Sequence, residues 1–389
     1  MNNERKVKVK IHYSRVGMAL ILLILAVWGI FFGISKFVGN AKGTRKKGDV
    51  AVEIEVSDSE PEEPIELNIP TVFYPVLTDD TAEFYPELVQ TTESASGNSS
   101  QPEIAITTDL NGKTVETERP NNSLYAIIVD TEKNEIVAQH DYNKKMYPAS
   151  LTKIMTLIVV MDYVHSMDYD PEIDPLNHCV EITEDMINPM IAAQASRAGF
   201  AVGETPTVRD LIYGLILPSG ADAAIALAKY VAGSESAFVQ LMNEKANEMG
   251  LKCTHFANPV GLHDEQNYST AEDMALVLEY ALQDEFAKCV LSTYQYTVPP
   301  TEQNPEGILL TSTMLSRMTG DEMPGVAIRG GKTGFTNEAG QCLASFAEIN
   351  GKTYIMVLAG GLSKWKTVYE TLSGYSVFCN GGKAYVPPR

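Results

Sequence analysis

Residues 146–156 have the sequence MYPASLTKIMT, which combines an apolar helical pattern with a serine and a lysine. Apolar side chains recur at helical spacing over residues 150–165, which predicts a helix that begins near Ser150. Residues three apart lie on one face of a helix, so the Ser150 hydroxyl is expected beside the Lys153 amine. A serine becomes a good nucleophile when a base takes its proton, and a lysine can be that base where burial lowers its pKa. The pattern predicts such a pair, although a helix cap beside a solvated lysine has the same spacing.

Two further segments carry polar side chains next to glycines. Residues 217–222, LPSGAD, place Ser219 on a tight turn before a helix, where it either relays a proton or caps the helix. Residues 329–336, RGGKTGFT, form part of a late strand whose glycines let a substrate lie along its edge. Lys332 and Thr333 are then placed to hold a carboxylate by charge and by a hydroxyl hydrogen bond. The other interpretation of Lys332 is an ordinary lysine on an edge strand.

The order of the surrounding elements predicts the fold class. Strand patterns come first, helical patterns follow, and strand patterns return before a final helix. The strands are predicted at residues 124–129, 135–139, 326–331, 341–348 and 353–359, and the helices at 150–165, 207–217, 222–231, 234–249, 271–282 and 363–378. Asn350-Gly351 separates the last two strands and is a strong hairpin signal. We predict an α/β (α+β) domain with an antiparallel sheet built from both of its ends and a helical block around it.

The N-terminal part of the chain has a different composition. Residues 16–34 are uncharged and mostly apolar, and a run of about 19 such residues is just long enough to span a bilayer as a helix. The predicted organisation is a basic cytoplasmic N-terminus (1–15), a transmembrane signal anchor (16–35), an acidic disordered linker (36–118) and a catalytic domain (119–389). Cleavage of the segment as a signal peptide stays open, because Gly39 and Ala41 follow it. Basic residues flank the span on both sides, so charge does not decide its orientation.

Composition excludes several classes of function. The formal net charge of −20 argues against a nucleic-acid partner, since binding to phosphates depends on Lys and Arg. Five widely spaced cysteines without a CxxC pair are expected to be buried free thiols. His255, His263 and Asp264 are close in sequence but lack the spacing of a zinc peptidase. We therefore predict no metal and no other cofactor.

The three polar segments occur together and in one order. Ser-x-x-Lys at 150–153, a Ser-x-Asn-like element at 219–221 and Lys-Thr-Gly at 332–334 resemble the three motifs of penicillin-binding proteins and serine β-lactamases. The flanking sequence is similar to low-molecular-mass, serine-type D-alanyl-D-alanine carboxypeptidases. The similar segments are residues 146–156, 203–204 with 207–208, 256–262, 268–271, and 332–334 with 339–340. The resemblance covers nearly all of residues 120–380 and implies a β-lactamase/transpeptidase-like fold.

The resemblance implies a reaction and a role for three residues. Ser150 is expected to attack the carbonyl between two D-alanines, with Lys153 as the general base. Ser219 is expected to help pass the proton to the leaving D-alanine. The partners it implies are peptidoglycan pentapeptide stems and β-lactam antibiotics. Such a substrate would place the domain outside the cytoplasm, on a single-pass protein of the cell membrane.

The resemblance also implies a substrate-binding strand. Lys332 and Thr333 are expected to grip the terminal carboxylate, and Gly334 completes the motif. The backbone N–H groups of Phe335 and Ser150 are expected to form the oxyanion hole.

One residue departs from the family pattern. Ala221 stands where the family usually has asparagine, whose side chain bonds to the substrate amide. Loss of one such hydrogen bond costs about 1–3 kcal/mol when its partners stay unpaired, so weakened activity is expected. The resemblance leaves two alternatives to the carboxypeptidase function: a catalytically weakened penicillin-binding or wall-binding protein, and a class A-like β-lactamase. The chain after Lys332 is expected to finish the sheet and its last helix, without the β-rich C-terminal domain or amphipathic anchor of many relatives.

Overall fold

The computed structural model describes residues 82–83, 106–108, 114–116, 122–167, 174–318, 320 and 323–387. The predicted N-terminus and signal anchor, and most of the predicted linker, lie outside these ranges. Within the described ranges, no helix has both the length and the apolar composition needed to cross a membrane.

The described strands are contributed by both ends of the domain. In chain order they are β1 Ala82–Glu83, β2 Ile106–Thr108, β3 Thr114–Glu116, β4 Tyr125–Asp130, β5 Glu135–His140, β6 Gln295–Val298, β7 Ile308–Thr311, β8 Ala327–Thr336, β9 Gly340–Ile349 and β10 Lys352–Gly361. Six of them form one sheet in the order β1-β5-β4-β10-β9-β8. β4 pairs with β10, so an early strand lies beside the last one. All pairs from β5 to β8 are antiparallel, which confirms the predicted sheet.

All but the last of the described helices lie between β5 and β8. The described helices are α1 Thr152–Ser166, α2 Glu184–Ala192, α3 Val208–Ile216, α4 Ala221–Ala232, α5 Glu235–Glu248, α6 Ala271–Ala281, α7 Glu285–Leu291, α8 Leu315–Met318 and α9 Lys364–Gly374. α1 is buried along most of its length, as expected for a helix that is apolar on nearly all sides. α3 begins at a capping box between Thr207 and Asp210, which satisfies N–H groups at its first turn.

The sheet is covered on both faces. Ile127 and Val129 of β4 pack with the helical block around α1. Ala126 and Ile128 of the same strand pack instead with a second apolar cluster that includes Tyr375, just after α9. Alternate side chains of a strand point to opposite faces, so the helical block lies on one face and the C-terminal helix on the other.

The hairpin between β9 and β10 matches its prediction. Asn350 and Gly351 both have positive φ, 53° and 79°. Two central residues with positive φ define the type I′ turn that the twist of antiparallel strands favours. The Asn-Gly pair therefore sets the register of β9 and β10.

Several elements differ from the predictions. β6 and β7 form a separate two-stranded sheet that was not predicted. Three short strands, β1 to β3, lie within residues assigned to a disordered linker. β8 extends through the Lys-Thr-Gly motif rather than ending before it, because its pairing with β9 continues to Thr336. The last helix ends at Gly374, and a π-helical turn covers Tyr375–Cys379.

The cysteines correct a second prediction. All five are free thiols, and Cys342 is buried as expected. Cys179, Cys253 and Cys289 are exposed, so the prediction of burial was wrong for them. Their positions at turns and on the outside of the helical block, rather than their residue type, decide their exposure.

Candidate active site

Ser150 and Lys153 meet where the chain enters α1. Ser150 lies in the short 3₁₀ turn Ala149–Leu151, and Lys153 lies in the first turn of α1. The Lys153 Nζ atom is 3.2 Å from Ser150 Oγ. Burial lowers the pKa of Lys153 to about 7, and the nearby charge of Asp222 opposes that shift. A large share of this amine is therefore unprotonated at neutral pH and can accept the serine proton.

The loop between α5 and α6 completes the environment of this lysine. Lys153 Nζ donates a hydrogen bond of 2.6 Å to the carbonyl oxygen of Val260. Asn258 Oδ1 accepts from three successive backbone N–H groups, those of residues 260–262, and so fixes this loop. A Cβ on Gly261 would lie 1.9 Å from the carbonyl oxygen of Ala149. Only glycine therefore allows the loop to pass this close behind the nucleophile.

Ser219 reaches the cleft from the turn before α4. Its backbone has a φ of 66°, an unusual conformation for a residue with a side chain. The Asp222 carboxylate stabilises this region by accepting from the N–H groups of Ala198 at 2.8 Å and Gly199 at 3.0 Å. Ser219 Oγ is buried and has no hydrogen-bond partner among the described residues. A strained turn with an unsatisfied hydroxyl is typical of a functional position.

Ala221 is the first residue of α4 and is buried beside Ser219. Its N–H donates to the carbonyl oxygen of Ser196 at 2.8 Å. The methyl side chain offers no hydrogen bond at the position where the family usually has an amide. The cleft wall is correspondingly less polar next to Ser219.

The Lys-Thr-Gly motif lies on β8, the edge strand of the sheet. Lys332 is buried, and its Nζ donates to the carbonyl oxygen of Thr333 at 2.7 Å. Burial is the main cause that places the pKa of Lys332 well below its usual range, and the charges of Lys153 and Arg317 add to it. Thr333 Oγ1 is 2.7 Å from Thr313 Oγ1.

Small residues bring this strand against the nucleophile. A Cβ on Gly334 would lie 2.9 Å from the backbone nitrogen of Ser150. A Cβ on Gly331 would lie 2.1 Å from the carbonyl oxygen of Ala344, on the neighbouring strand. Both contacts are closer than a side-chain carbon normally allows, so glycine permits the close approach of β8 at these points.

One cleft collects most of the predicted site residues. Its volume is about 560 Å³, and Ser150, Lys153, Ser219, Thr333, Gly334 and Phe335 all line it. Lys332 is not among the lining residues, because its amine is turned to the Thr333 carbonyl. The cleft is also lined by residues that were not predicted to belong to the active site: Gln194, Ser196, Arg317, Glu338 and His263, which was considered only as a metal ligand.

The histidines considered for metal binding have other contacts. His255 Nδ1 is 2.6 Å from the carbonyl oxygen of Gln266. His263 packs edge-on against the ring of Tyr147, with 4.8 Å between ring centroids. Across the described ranges, His, Cys, Asp and Glu side chains form no group of three or more that could hold a metal ion.

Comparisons with known proteins agree with this geometry. Residues 113–362 match the family Peptidase_S11, D-alanyl-D-alanine carboxypeptidase. The chain is 29% identical over 237 residues to D-alanyl-D-alanine carboxypeptidase DacF of Bacillus subtilis, covering 60% of this chain and 56% of DacF. It is 34% identical over 212 residues to the D-alanyl-D-alanine carboxypeptidase of Streptomyces sp. strain K15, covering 53% of this chain and 69% of that relative.

Solved structures show the same fold. The crystal structure of the Streptomyces K15 DD-transpeptidase has a TM-score of 0.59 and 26% identity, covering 68% of this chain and 99% of that one. Penicillin-binding protein 5 from Haemophilus influenzae has a TM-score of 0.58 and 27% identity, covering 67% of this chain and 72% of that one. The matched segment spans little more than half of the length of DacF. The family match, together with a serine–lysine pair in a cleft bounded by an edge strand, leads to one conclusion: the chain belongs to the Peptidase_S11 family of D-alanyl-D-alanine carboxypeptidases.

Proposed function

We propose that this chain is a serine-type D-alanyl-D-alanine carboxypeptidase that removes the terminal D-alanine from peptidoglycan stem peptides through an acyl-enzyme. The observation that carries the proposal is the pair of Ser150 Oγ and Lys153 Nζ, 3.2 Å apart, with a lysine pKa of about 7. The family match favours this function over the class A-like β-lactamase and over the catalytically weakened penicillin-binding or wall-binding protein.

The first half of the reaction forms the acyl-enzyme. The neutral amine of Lys153 takes the proton of the Ser150 hydroxyl, and Oγ attacks the carbonyl carbon between the two D-alanines. The backbone N–H groups of Ser150 and Phe335 donate to the oxyanion that develops. Ser219, whose hydroxyl has no partner among the described residues, passes the proton from Lys153 to the departing nitrogen. The C–N bond breaks and free D-alanine leaves.

The second half of the reaction regenerates the enzyme. Lys153 is neutral again and takes a proton from a water molecule, whose oxygen attacks the ester carbonyl. The ester C–O bond breaks, and the proton returns to Ser150 Oγ. A β-lactam follows the first half only, because its leaving nitrogen stays tethered to the acyl group, so the acyl-enzyme persists.

The test measures D-alanine released from a diacyl peptide that ends in D-Ala-D-Ala. The wild-type protein is expected to release D-alanine and to turn over nitrocefin only slowly, whereas Ser150→Ala releases none. Rapid continuous nitrocefin hydrolysis without D-alanine would indicate a β-lactamase instead. Absence of both activities and of labelling by fluorescent penicillin, not restored by Ala221→Asn, would favour the weakened wall-binding protein.

The location is part of the same proposal. An apolar segment at residues 16–35 of suitable length would anchor the chain, and the catalytic domain would lie outside the cytoplasm, where peptidoglycan is. Protease treatment of spheroplasts tests this arrangement. Digestion of the domain without lysis is the expected result, and protection until lysis would contradict it.

A further inference from the structure

Along β8, opposite charges lie on the two sides of the point where the strand meets the nucleophile. That point is Gly334, where a Cβ would lie 2.9 Å from the backbone nitrogen of Ser150. Before it, Arg317 lines the cleft and is close enough to Lys332 for an electrostatic interaction. After it, Glu338 lines the cleft from the turn that follows β8, and it is the one carboxylate among the lining side chains of the described residues. A ligand with complementary charges therefore places a positive group at Glu338.

The direction of the bound peptide decides which of its residues lies at that turn. β8 is an edge strand, so its outer side can pair with an extended peptide. In the proposed reaction the terminal carboxylate lies at Thr333, and the carbonyl that Ser150 attacks lies at the N–H group of Phe335. The peptide then runs antiparallel to β8, and the residue before the two D-alanines lies near Thr336, the last residue of the strand. An extended chain advances about 3.4 Å per residue, so a side chain of lysine length from that residue reaches the turn at 337–339.

The carboxylate of Glu338 is available to a ligand. Its Oε2 atom is 3.9 Å from His263 Nδ1, which is longer than a hydrogen bond. It accepts no hydrogen bond from another residue in the described part of the chain, and 44% of the side chain is exposed. A carboxylate has about four acceptor positions. Glu338 can therefore accept from an ammonium group without giving up a hydrogen bond that it already has.

The surroundings of Glu338 suit a long side chain with a charged tip. Phe335 lines the same cleft and is 57% exposed, so its ring offers apolar surface to a chain of methylene groups. His263 lines the cleft from the loop between α5 and α6, and its ring is held edge-on against Tyr147, with 4.8 Å between ring centroids. An apolar surface next to an unfilled carboxylate is the environment that a lysine-like side chain requires.

We propose that Glu338 binds the side-chain ammonium of the residue that precedes the two D-alanines. The enzyme would then prefer stem peptides in which this amine is free over stems in which it is acylated. The proposal rests on the proposed function and deepens it, since it names a substrate class for the same site. Glu338 contacts the substrate away from the scissile bond and takes no part in proton transfer. Its removal should therefore change the choice between peptides and leave the chemistry at Ser150 intact.

The test compares three N-acetylated tripeptides that end in D-Ala-D-Ala and differ in their first residue, which is lysine, Nε-acetyllysine or norleucine. For the wild-type full chain, kcat/KM for the lysine peptide is expected to exceed that for the other two about two- to fivefold, the effect of one partly exposed charge pair. In Glu338→Gln this preference should disappear, while kcat/KM for the norleucine peptide stays the same. Glu338→Asp should keep part of the preference. Glu348→Gln, which removes a carboxylate paired with Arg329 outside the cleft, should keep all of it.

A second readout separates recognition of the amine from a structural role. Acylation of Ser150 by benzylpenicillin, which has no ammonium group, should proceed at the same rate in Glu338→Gln as in the wild type. A wild type that treats the lysine and norleucine peptides alike, or a Glu338→Gln variant that keeps the preference, would overturn the assignment. Equal losses with all three peptides and with benzylpenicillin would overturn it as well. A wild type that neither releases D-alanine nor is acylated would instead refute the proposed function itself.

Discussion

The two buried lysines of the cleft, Lys153 and Lys332, have the same burial and different surroundings. Both are about 1% exposed. Lys153 has a serine hydroxyl as well as the Val260 carbonyl oxygen within hydrogen-bond distance of its amine, and the charge of Asp222 partly offsets the effect of burial on its pKa. Lys332 directs its amine to a backbone carbonyl, and two cations add to the effect of burial. Burial alone therefore does not make a lysine a base; the atom it faces and the nearby charges do.

The largest effect is expected from removing the amine of Lys153. Lys153→Met keeps the approximate volume and removes the base, so acylation of Ser150 by penicillin should slow about 10²- to 10⁴-fold, the usual contribution of general acid–base catalysis. Stopped-flow or quench measurements with labelled penicillin provide the rate. Lys133→Met, on the exposed β4–β5 hairpin, is the matched control. A rate within threefold of wild type would assign the base elsewhere.

A smaller effect is expected from removing the amine of Lys332. Lys332→Met leaves the Thr333 carbonyl without its donor, and acylation should slow about tenfold, as for one unsatisfied buried acceptor. The pH dependence is the sharper readout. The neutral form of Lys153 increases as pH rises through about 7, so the acylation rate should rise with a midpoint near that pH.

This midpoint should be nearly unchanged in Lys332→Met, because burial and the charge of Asp222, rather than Lys332, are the causes that set the pKa of Lys153. A midpoint that disappears with Lys332 and persists in Lys153→Met would reverse the roles of the two lysines.

The loop whose Val260 carbonyl accepts a hydrogen bond from Lys153 allows a third test. This test measures the stability of the protein. Gly261→Ala places a Cβ 1.9 Å from the carbonyl oxygen of Ala149, at a φ of 78°. Gly233→Ala has a similar φ of 75° but open space around the new carbon, so it measures backbone strain alone. The free energy of unfolding should fall about 1–3 kcal/mol for strain in both variants, with a further loss only at Gly261. If urea denaturation gives equal losses of unfolding free energy for the two variants, the close approach of Gly261 to Ala149 has no structural role.

The smallest effect is expected at Ala221. Ala221→Asn adds an amide beside Ser219, and a net gain of one hydrogen bond to the substrate should raise D-alanine release roughly two- to tenfold. Ala221→Leu is the control for added volume without a polar group, and it should lower the rate. No gain with asparagine would show that the departure from the family pattern is compensated by another residue of the cleft.

The fold was largely predictable from local signals. The apolar run after Ser150 and the Asn350-Gly351 turn were each decided by residues close in sequence. The segments β6 and β7 were missed because each is short and gains stability by pairing with the other. Exposure of Cys289 was likewise set by packing that a single sequence does not display.

The site was predictable only in part. The spacing of Ser150 and Lys153 on a helical turn is a local property, and the structure has the two side chains in contact. The orientation of Lys332 depends on what surrounds it, so its turn toward a carbonyl had no sequence signal. The carbonyl of Val260 is a backbone group and has no sequence signal either. Arg317 was missed because it lies outside every motif and reaches the cleft only through the fold.

The central claim is that Ser150 is the nucleophile of this cleft. Intact mass spectrometry of the purified protein after penicillin G tests it most directly, with Ser150→Ala measured in parallel. One penicilloyl adduct is expected on the wild type, mapped to the peptide that contains Ser150, and none on the variant. An adduct of equal yield on Ser150→Ala, or an unmodified wild type at saturating penicillin G, would contradict it.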